Sequence, residues 1–238
     1  MSTTESPAIW LRNVCRKNGL ALNDEQVRLL DLYVHLLLDR NSKINLISRQ
    51  DEDRVWQNHI LHSISILFKI GLRPGSRIID MGTGGGLPGI PLKILLPDTE
   101  WLLMDATRKK VTAVQEILAN MGLRGVTAVW GRAEDLALDK NLRSQFDYIV
   151  ARAVAPLKQL IQWSKPFLGK RADGGVSAAN DTLVSPPALI ALKGGELGDE
   201  LEEAAKATLA GSMNTINLVF AGSEDLSASG KKIVIVKF

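Results

Sequence analysis

A glycine-rich stretch constrains the fold of this chain more than any other feature of its sequence. The short apolar run 77–81 ends in Asp80 and Met81, and the sequence Gly82-Thr-Gly-Gly-Gly86 follows directly. Pro88, which suits the first turn of a helix, comes two positions later. A strand, a glycine turn and a helix in this order predict a ligand-binding loop at the carboxyl end of a strand in an open α/β sheet.

Strands and helices alternate from residue 73 onward. The pattern predicts strands at 77–81, 101–105, 126–130, 146–151, 188–193, 215–220 and 232–237, and helices near 88–96, 108–121, 156–168 and 196–210. No helix is expected between the last two strands, because 221–230 is typical of a hairpin loop, so the final pair should be antiparallel. The fold class is therefore α/β, with a seven-stranded, mostly parallel sheet covered on both faces.

The N-terminal part of the chain has a different pattern. Residues 8–70 carry helical periodicity, with a capping box predicted at Asn23 and Gln26 and a further helix expected over Val55–Ile70. We expect residues 1–72 to form a helical extension packed on the core, and residues 73–238 to form the ligand-binding domain. Residues 169–187, rich in Gly, Ala, Ser and Pro, predict a long loop.

Composition excludes several classes of protein. The 238 residues are 45% hydrophobic and 23% charged, which suits one sizeable core. No apolar run approaches the roughly 20 residues of a membrane span, and the N-terminus lacks a secretory signal. Cys15 is the single cysteine, which fits a reducing cytoplasm. The net charge of +3 permits a nucleic-acid partner without establishing one.

Two classes of cofactor fit the glycine loop. The spacing Gly84-x-Gly86-x-x-Gly89 matches the dinucleotide fingerprint, which would indicate an NAD-dependent oxidoreductase. However, the carboxylate of Asp80 stands just before the loop, where it would repel a pyrophosphate and attract the positive sulfonium and amino group of S-adenosylmethionine. The sequence therefore favours S-adenosylmethionine over NAD. A glycine turn that binds no ligand is the third, least favoured interpretation.

Carboxylates also follow the second and third predicted strands. Asp105 is placed to accept hydrogen bonds from both ribose hydroxyls of either cofactor, or alternatively to cap the helix that begins near Thr107. Glu134 or Asp135 can reach an adenine ring, or can serve as an ordinary acid at a helix N-terminus. These positions predict a cofactor site that runs along the carboxyl ends of the strands.

The absence of two catalytic motifs narrows the kinds of atom that this protein is expected to methylate. Methylation of a pyrimidine carbon needs a cysteine nucleophile, and Cys15 is far from the glycine loop in sequence. Methylation of an exocyclic amine typically uses an Asn/Asp-Pro-Pro-aromatic motif after the fourth strand, where this chain has Ala151-Arg-Ala-Val154. A ring nitrogen such as guanine N7 carries a free lone pair and no proton, so its methylation needs neither the cysteine nor the Asn/Asp-Pro-Pro-aromatic motif.

Residues 80–92, Asp80-x-Gly-Thr-Gly-x-Gly-Leu-Pro-Gly-Ile-Pro-Leu92, resemble the signature of the glucose-inhibited division protein B family, the bacterial small-subunit rRNA guanine-N7 methyltransferases also called RsmG. Asn45-Leu-Ile-Ser48, Arg152-Ala153 and Leu192-Lys-Gly194 are similar to further segments of that family, and the resemblance covers roughly residues 20–238. It implies a Rossmann-like class I methyltransferase fold. It also implies S-adenosylmethionine as cofactor and methylation of the N7 of a specific guanine in the 530 loop region of 16S rRNA.

The resemblance also implies the residues of the site. Contacts with S-adenosylmethionine are expected from Gly82, Leu87, Ala133, Glu134 and Arg152, beside Asp80, Gly84 and Asp105 from the loop and strand-end arguments. Candidates for contact with the RNA follow from charge and position instead: Arg108, Lys109, Lys193 and His59, together with Lys110, Lys165, Lys170 and Arg171. Residues 108–110 can alternatively form a solvated basic turn, and His59 can be a structural histidine. The expected partner is 16S rRNA or the small ribosomal subunit. We expect no metal, no membrane partner and a monomer.

The sequence departs from the family pattern at two places. The family's His-Ile-Leu-Asp-Ser appears here as His59-Ile-Leu-His62-Ser63, and the 169–187 loop is longer than expected. If the family's aspartate orients a group in the site, His62 must do so differently. A non-catalytic RNA-binding module that kept the fold is a further alternative, which the intact glycine loop disfavours.

Overall fold

The computed structural model describes residues 5–169, 182–206 and 211–238. Its sheet consists of the strands β1 Arg77–Met81, β2 Glu100–Asp105, β3 Val126–Trp130, β4 Tyr148–Arg152, β5 Ala188–Lys193, β6 Ser212–Asn217 and β7 Lys232–Lys237. Their order is β3-β2-β1-β4-β5-β7-β6. β1 to β5 are parallel to one another, and β7 is antiparallel to both β5 and β6. The predicted α/β sheet is confirmed.

The strand order reverses at β1, which separates β2 and β3 on one side from β4 and β5 on the other. Open α/β sheets bind ligands in the crevice above such a reversal, at the carboxyl ends of the strands. The register puts Met81 of β1 beside Met104 of β2 and Ala151 of β4, so the three strands end at the same edge. The glycine loop, which follows β1, therefore begins at the centre of that edge.

Helices cover both faces of the sheet. In the described ranges they are α1 Pro7–Lys17, α2 Asp24–Asn41, α3 His62–Ile64, α4 Gly89–Leu95, α5 Arg108–Met121, α6 Ala133–Leu136, α7 Leu157–Ser164, α8 Gly198–Lys206 and α9 Glu224–Ala228. Two buried apolar clusters pack against the sheet, and one of them joins side chains of α1 and α2 with side chains of α4 and α5. The N-terminal helices thus share an apolar core with the helices that flank the glycine loop.

The capping box at the start of α2 is confirmed. Asn23 Oδ1 accepts from the Gln26 backbone N–H at 2.8 Å, and Gln26 Oε1 accepts from the Asn23 backbone N–H at 3.0 Å. Farther along α2, the buried Tyr33 hydroxyl donates to the carbonyl of Gly85 at 2.9 Å. A helix of the N-terminal extension therefore holds the glycine loop directly.

The prediction of a single helix over Val55–Ile70 is wrong in detail. A 3₁₀ helix at Arg49–Arg54 comes first, followed by a π-helix at Trp56–Leu61, by α3 and by a second 3₁₀ helix at Ser65–Phe68. Two serines of this segment donate their hydroxyls to backbone carbonyls, Ser63 to His59 and Ser65 to His62, each at 2.7 Å. Such bonds compete with a regular helix ladder, which periodicity alone does not register.

The C-terminal connection also differs from expectation. The predicted antiparallel arrangement of the last two strands is confirmed, but the short helix α9 lies between them where none was expected. β6 ends at Asn217 because the chain then turns, with Ser223 Oγ accepting from the Phe220 N–H at 2.9 Å. The predicted strand 215–220 therefore begins and ends later in the chain than β6, which spans Ser212–Asn217. The predicted loop 169–187 and the predicted helix 196–210 both extend into residues outside the described ranges.

Candidate active site

The glycine loop turns from the end of β1 across the end of β2. The backbone N–H groups of Gly82 and Thr83 both donate to the carbonyl of Met104, at 2.8 and 2.9 Å. Gly82 has φ +71°, and a Cβ at this position would lie 2.5 Å from Val154 Cγ2. Only glycine combines this left-handed backbone with so close a neighbour. The loop is therefore pressed between β2 and the segment that follows β4.

Asp80 lies beneath the loop and is fully buried. Its Oδ2 accepts from the Thr83 hydroxyl at 2.6 Å and from the Gly89 backbone N–H at 2.8 Å. Burial raises the pKa of the Asp80 carboxyl to about 6, although both hydrogen bonds oppose that rise. A Cβ at residue 89 would lie only 2.6 Å from Oδ2, so Gly89 allows this contact.

The position of Asp80 separates the two cofactor classes. A dinucleotide site places its pyrophosphate at the N-terminus of the helix after the glycine loop, where backbone N–H groups bind it. Here that helix is α4, and the N–H of its first residue, Gly89, is bonded to the Asp80 carboxylate. An anion cannot share that position, so the geometry opposes the NAD interpretation. It also shows that Asp80 organises the loop from below, outside the walls of both cavities described next.

A small pocket, here called the side pocket, opens over the ends of β2 and β3. Its volume is about 120 Å³, and its walls are Met81, Gly82, Met104, Asp105, Ala106, Gly131, Arg132, Ala133, Glu134, Val154 and Trp163. Ala133 is buried and begins α6, whereas Glu134 is exposed at the rim. Asp135, the alternative to Glu134, is not among the lining residues. The structure thus brings together four of the predicted cofactor residues in one pocket: Gly82, Asp105, Ala133 and Glu134.

Of the two roles that the sequence left open for Asp105, its hydrogen bonds show the one at the start of α5. Its Oδ1 accepts from the Thr107 backbone N–H at 2.7 Å, which turns the chain into α5. Its Oδ2 accepts from the Gly84 backbone N–H at 3.0 Å, which joins β2 to the glycine loop. The carboxylate is half-buried in the wall of the side pocket. Each oxygen keeps a second lone pair that a ligand hydroxyl can use.

A larger cavity, here called the main crevice, lies on the other side of Gly82 and has a volume of about 560 Å³. Its lining includes the predicted residues Gly82, Gly84, Leu87, His59 and Arg152. The charged side chains among its described lining residues are Arg54, Lys110, Arg152, Lys231 and Asp51. Four cations and one carboxylate make the main crevice electropositive, which favours an anionic ligand.

Arg152 is held in the wall of the main crevice by residues of the N-terminal extension. Its Nη1 donates to the carbonyl of Asn58 at 3.4 Å and lies 3.0 Å from His59 Nδ1. Because a guanidinium can only donate, Nδ1 must accept, which places the imidazole proton on Nε2. That nitrogen lies 3.4 Å from Asp51 Oδ2, and Asp51 Oδ1 accepts from the Asn58 side chain at 2.7 Å. Asp51, Asn58 and His59 together fix the guanidinium.

His59 is neutral in this arrangement. Burial and the adjacent Arg152 guanidinium lower the pKa of His59 to about 4, against the opposing effect of Asp51. An imidazole with so low a pKa carries no proton to donate as an acid near neutral pH. The position of His59 beside Arg152 therefore indicates that it orients the guanidinium.

His62 is buried one helical turn later and lines the same crevice. Burial, together with Arg152, Lys231 and His59, lowers the pKa of His62 well below its ordinary value. Among the described residues its Nε2 has no hydrogen-bond partner. Tight burial of an unpaired ring nitrogen is uncommon in folded proteins.

The predicted RNA-contacting residues occupy different places. Arg108 stacks on the exposed Trp130 ring, with Cζ 5.3 Å from the ring centroid, and Lys109 is exposed without lining either cavity. Lys110 is the member of this basic turn that reaches the main crevice. Lys193 Nζ is 2.5 Å from Glu200 Oε1 and 2.7 Å from the carbonyl of Ala155, so its charge is already paired within the fold. Lys165 is exposed and lines neither cavity, and Lys170 and Arg171 lie outside the described residues.

Sequence reasoning missed several residues of the main crevice. Asp51, Arg54 and Lys231 belong to no motif and are far from the glycine loop in sequence. Leu46, which lies in the Asn45–Ser48 segment, also lines the crevice. The resemblance of that segment, together with that of His59–Ser63, was therefore the available signal that the N-terminal extension reaches the site.

Other chemistries receive no support from the described residues. Cys15 is buried in α1, and burial raises the pKa of its thiol to about 12, so it cannot act as a thiolate nucleophile. The described ranges contain no group of three or more His, Cys, Asp or Glu side chains placed to hold a metal ion. In the same ranges, no helix has both the length and the apolar character needed to cross a membrane.

Comparison with known proteins gives consistent results. Residues 26–228 match the family described as rRNA small subunit methyltransferase G. The protein of that name from Moorella thermoacetica is 37% identical over 153 residues, which are 64% of each chain. The one from Chlorobaculum tepidum is 36% identical over 96% of this chain and 97% of its own. A solved precorrin-6y C5,15-methyltransferase from Geobacter metallireducens shares the fold, at 14% identity and a TM-score of 0.51 over 82% of this chain and 92% of its own.

Proposed function

This chain belongs to the rRNA small subunit methyltransferase G family, and on that premise we propose that it transfers a methyl group from S-adenosylmethionine to guanine N7 in the 530 loop region of 16S rRNA. The observation that carries the proposal is the junction of the two cavities at Gly82. A cofactor that extends from one cavity into the other presents its reactive group beside the electropositive main crevice, where an RNA base can enter.

The residues of the side pocket suit the adenosine part of the cofactor. Asp105 has lone pairs for the two ribose hydroxyls, and Glu134 at the rim has acceptors for an exocyclic amine. Ala133 leaves room beside them because its side chain is small. The resemblance implies Ala133 and Glu134 for the cofactor, and the strand-end argument implies Asp105.

The residues at the junction suit the amino-acid part. Gly82 allows close approach of the backbone, Leu87 supplies an apolar wall, and the Arg152 guanidinium can pair with a carboxylate. When bound, S-adenosylmethionine supplies an electrophilic methyl group on a positively charged sulfur. The fully buried Asp80 carboxylate below the loop contributes a compensating negative charge to this part of the site.

The chain supplies alignment and charge for the transfer rather than a base. Guanine N7 has a lone pair and carries no proton, so its attack on a methyl group leaves no proton for the enzyme to remove. The neutral state of His59 agrees with this requirement. Alignment of the acceptor with the methyl donor is then the main contribution to rate. The cations Arg54, Lys110 and Lys231 are placed to hold RNA phosphates while the base enters the crevice.

The proposal extends to organisation and location. Residues 1–72 act as an accessory helical extension that completes the main crevice, and residues 73–238 form the methyltransferase domain. The enzyme works as a monomer in the bacterial cytoplasm, where small subunits are assembled. Light scattering on the purified protein, alone and with RNA, measures its molecular mass and so tests whether it is a monomer.

The test uses 16S rRNA and 30S subunits from cells that lack this activity. The protein is incubated with each substrate and methyl-labelled S-adenosylmethionine, and the RNA is digested to nucleosides and separated. We expect label only in 7-methylguanosine, at one position in the 530 loop region. Label in another nucleoside, or none in either substrate, overturns the proposal. Calorimetry with S-adenosylhomocysteine and NAD provides the matched control, and binding of NAD alone would restore the oxidoreductase interpretation.

A further inference from the structure

Trp130 places an aromatic ring on the surface beside the side pocket. It is the last residue of β3 and is 53% exposed, and no other Trp, Tyr or Phe in the described ranges is exposed to this degree. Its indole Nε1 donates to the carbonyl of Ala106 at 3.0 Å, and both Ala106 and Gly131 line the side pocket. The ring is therefore held in place and yet open to a partner.

Three exposed cations belong to the two segments that meet at this ring. The Arg108 guanidinium lies over the ring, with Cζ 5.3 Å from the ring centroid. Lys109 adjoins Arg108 at the start of α5, and Arg132 follows the ring by two residues. None of the three forms an ion pair in the part of the chain that the structure describes. Of the two exposed acids that follow on α6, Glu134 lines the side pocket, so cations predominate around the ring.

An exposed ring among unpaired cations is the combination that binds single-stranded nucleic acid. Unpaired bases stack on aromatic rings and on guanidinium planes, while nearby lysines and arginines attract the phosphates. We call Arg108, Lys109, Trp130 and Arg132 together the Trp130 surface. A double helix fits this surface less well, because the faces of its bases are covered by their neighbours in the stack.

The Trp130 surface continues into the main crevice. Its four residues are absent from the crevice lining, whereas Lys110, which follows Lys109 in the first turn of α5, is part of that lining. A base inside the crevice and a nucleotide on the Trp130 surface can therefore belong to one RNA strand that passes α5. Extrusion of a base for reaction breaks its stacking with its neighbours, and an exposed ring can replace that lost contact.

We propose that Trp130, with the Arg108 guanidinium over it, stacks the base of an unpaired nucleotide close to the target guanine, and that Lys109 and Arg132 attract the adjoining phosphates. The inference rests on the function proposed above and adds a second place at which the enzyme holds its RNA. Because every base has a face that can stack, this contact contributes affinity and placement rather than sequence preference.

The experiment compares binding of a short oligoadenylate with binding of an RNA duplex of the same length, over a range of salt concentrations, by filter binding. Trp130→Ala removes the ring, and Trp130→Tyr keeps an aromatic face. Leu138→Ala is the matched control, because Leu138 is another exposed apolar residue and lies outside the lining of both cavities. Calorimetry with S-adenosylhomocysteine checks that each variant keeps a folded cofactor site.

We expect Trp130→Ala to weaken oligoadenylate binding about 5- to 100-fold, the range for loss of a stack between a base and an aromatic ring. Binding of the duplex should stay within about twofold, since its bases are not available to the ring. Trp130→Tyr should keep most of the affinity, and Leu138→Ala should change neither RNA. Equal losses for both RNAs, or no loss for oligoadenylate, overturns the proposal.

Salt dependence separates stacking from charge. Trp130→Ala should leave the slope of log affinity against log salt unchanged, because the ring contacts no phosphate. Lys109→Gln should lower that slope by about one, as expected for one lost phosphate contact. A lower slope in Trp130→Ala would mean that the variant disturbs the cations and would overturn a stacking role.

Fluorescence of the wild-type protein keeps the test decisive if Trp130→Ala fails to fold. Trp130 is the exposed tryptophan among the five in the chain, and a stacked base quenches the emission of an indole. Saturating oligoadenylate should therefore quench part of the emission and protect the remainder of the exposed signal from iodide. Emission and iodide quenching that are both unchanged by oligoadenylate would overturn the proposal.

Two further outcomes assign the ring to another partner, and each overturns the inference. A loss of S-adenosylhomocysteine affinity in Trp130→Ala as large as the loss for oligoadenylate would place the cofactor on the ring. Weaker binding of 30S subunits with unchanged binding of oligoadenylate would indicate a ribosomal protein. If wild type makes no 7-methylguanosine, the proposed function fails, whereas a correct wild-type product with no effect of Trp130→Ala on oligoadenylate refutes this inference alone.

Discussion

The side pocket and the main crevice meet at Gly82, yet different parts of the chain build them. The walls of the side pocket come from residues 81–163, which belong to the ends of β1 and β2, to the segments that follow the strands, and to α6 and α7. The main crevice adds residues 46–62 of the N-terminal segment and residues 226–231, which run from within α9 to the residue before β7. The difference indicates that the proposed cofactor half of the site belongs to the fold, whereas the proposed RNA half depends on elements added around it.

The largest expected effect comes from the residue that both cavities share. Gly82→Ala introduces a Cβ 2.5 Å from Val154 Cγ2 on a backbone with φ +71°, so it should weaken S-adenosylhomocysteine binding about 100-fold in calorimetry. Gly122→Ala is the matched control, because Gly122 also has a positive φ but nothing lies within 4 Å of its Cβ position. Val154→Ala should partly restore binding in the Gly82→Ala background. Unchanged affinity in Gly82→Ala would show that the cofactor does not approach the loop.

Asp105→Asn tests the side pocket alone. Loss of its charge and of one acceptor should weaken S-adenosylhomocysteine binding about 10- to 30-fold, in line with lost hydrogen bonds from a charged group, because the proposed binding mode has the ribose hydroxyls donate to this carboxylate. Affinity for 16S rRNA in filter binding should stay within about twofold, since Asp105 does not line the main crevice. The neighbouring Asp135→Asn, exposed and outside both cavities, serves as control. A comparable loss of RNA affinity in Asp105→Asn would erase the distinction between the cavities.

Lys231→Gln tests the main crevice alone. One phosphate contact fewer should reduce RNA affinity about fivefold and lower the slope of log affinity against log salt by about one. Cofactor affinity should not change. Lys232→Gln is the neighbouring control, because the Lys232 ammonium donates to the carbonyl of Gly195 and lies outside the crevice lining. An unaltered salt slope in Lys231→Gln would mean that the crevice holds no RNA phosphate near this residue.

The smallest effect concerns the histidine that orients Arg152. Because the folded protein lowers the pKa of His59 to about 4, the unfolded chain binds the proton first as the pH falls. The corresponding stability is present above pH 6.5 and is lost as the pH falls towards 4. Between pH 7.5 and 5.5, wild type should lose about 1 kcal/mol more unfolding free energy than His59→Gln. Urea titrations at the two pH values measure this difference, and parallel losses would refute a neutral, buried His59.

The sequence predicted the side pocket well because its chemistry is tied to strand ends. Asp105 ends β2 and Ala133 begins the helix after β3, so alternation of strands and helices was enough to place them at one edge. Asp80 was expected to contact the cofactor, and its burial together with its bonds to Thr83 and Gly89 favours an action through the loop. A strand pattern gives the position of a side chain but not which of its neighbours it bonds.

The main crevice was predicted only in part, for a physical reason. Its walls join segments far apart in the chain, such as Asp51 with Arg152 and Lys231, and such contacts leave no periodic signal. Lys193 illustrates the same difficulty. The sequence shows a lysine that could contact RNA, whereas in the structure its ammonium is paired with the Glu200 carboxylate. The irregular helices over 49–68, which carry Asp51, Asn58 and His59 to the crevice, depend on side-chain hydroxyl bonds that an apolar pattern cannot reveal.

The division of the site between two cavities is tested most directly by a crystal structure with S-adenosylhomocysteine. The account predicts adenosine in the side pocket, with the ribose on Asp105 and the adenine beside Ala133 and Glu134. It also predicts the amino-acid end at the junction, near Gly82 and Arg152, with His62 and Lys231 left exposed to the space for the RNA base. Adenosine seated in the main crevice against His59 and His62 would contradict the account.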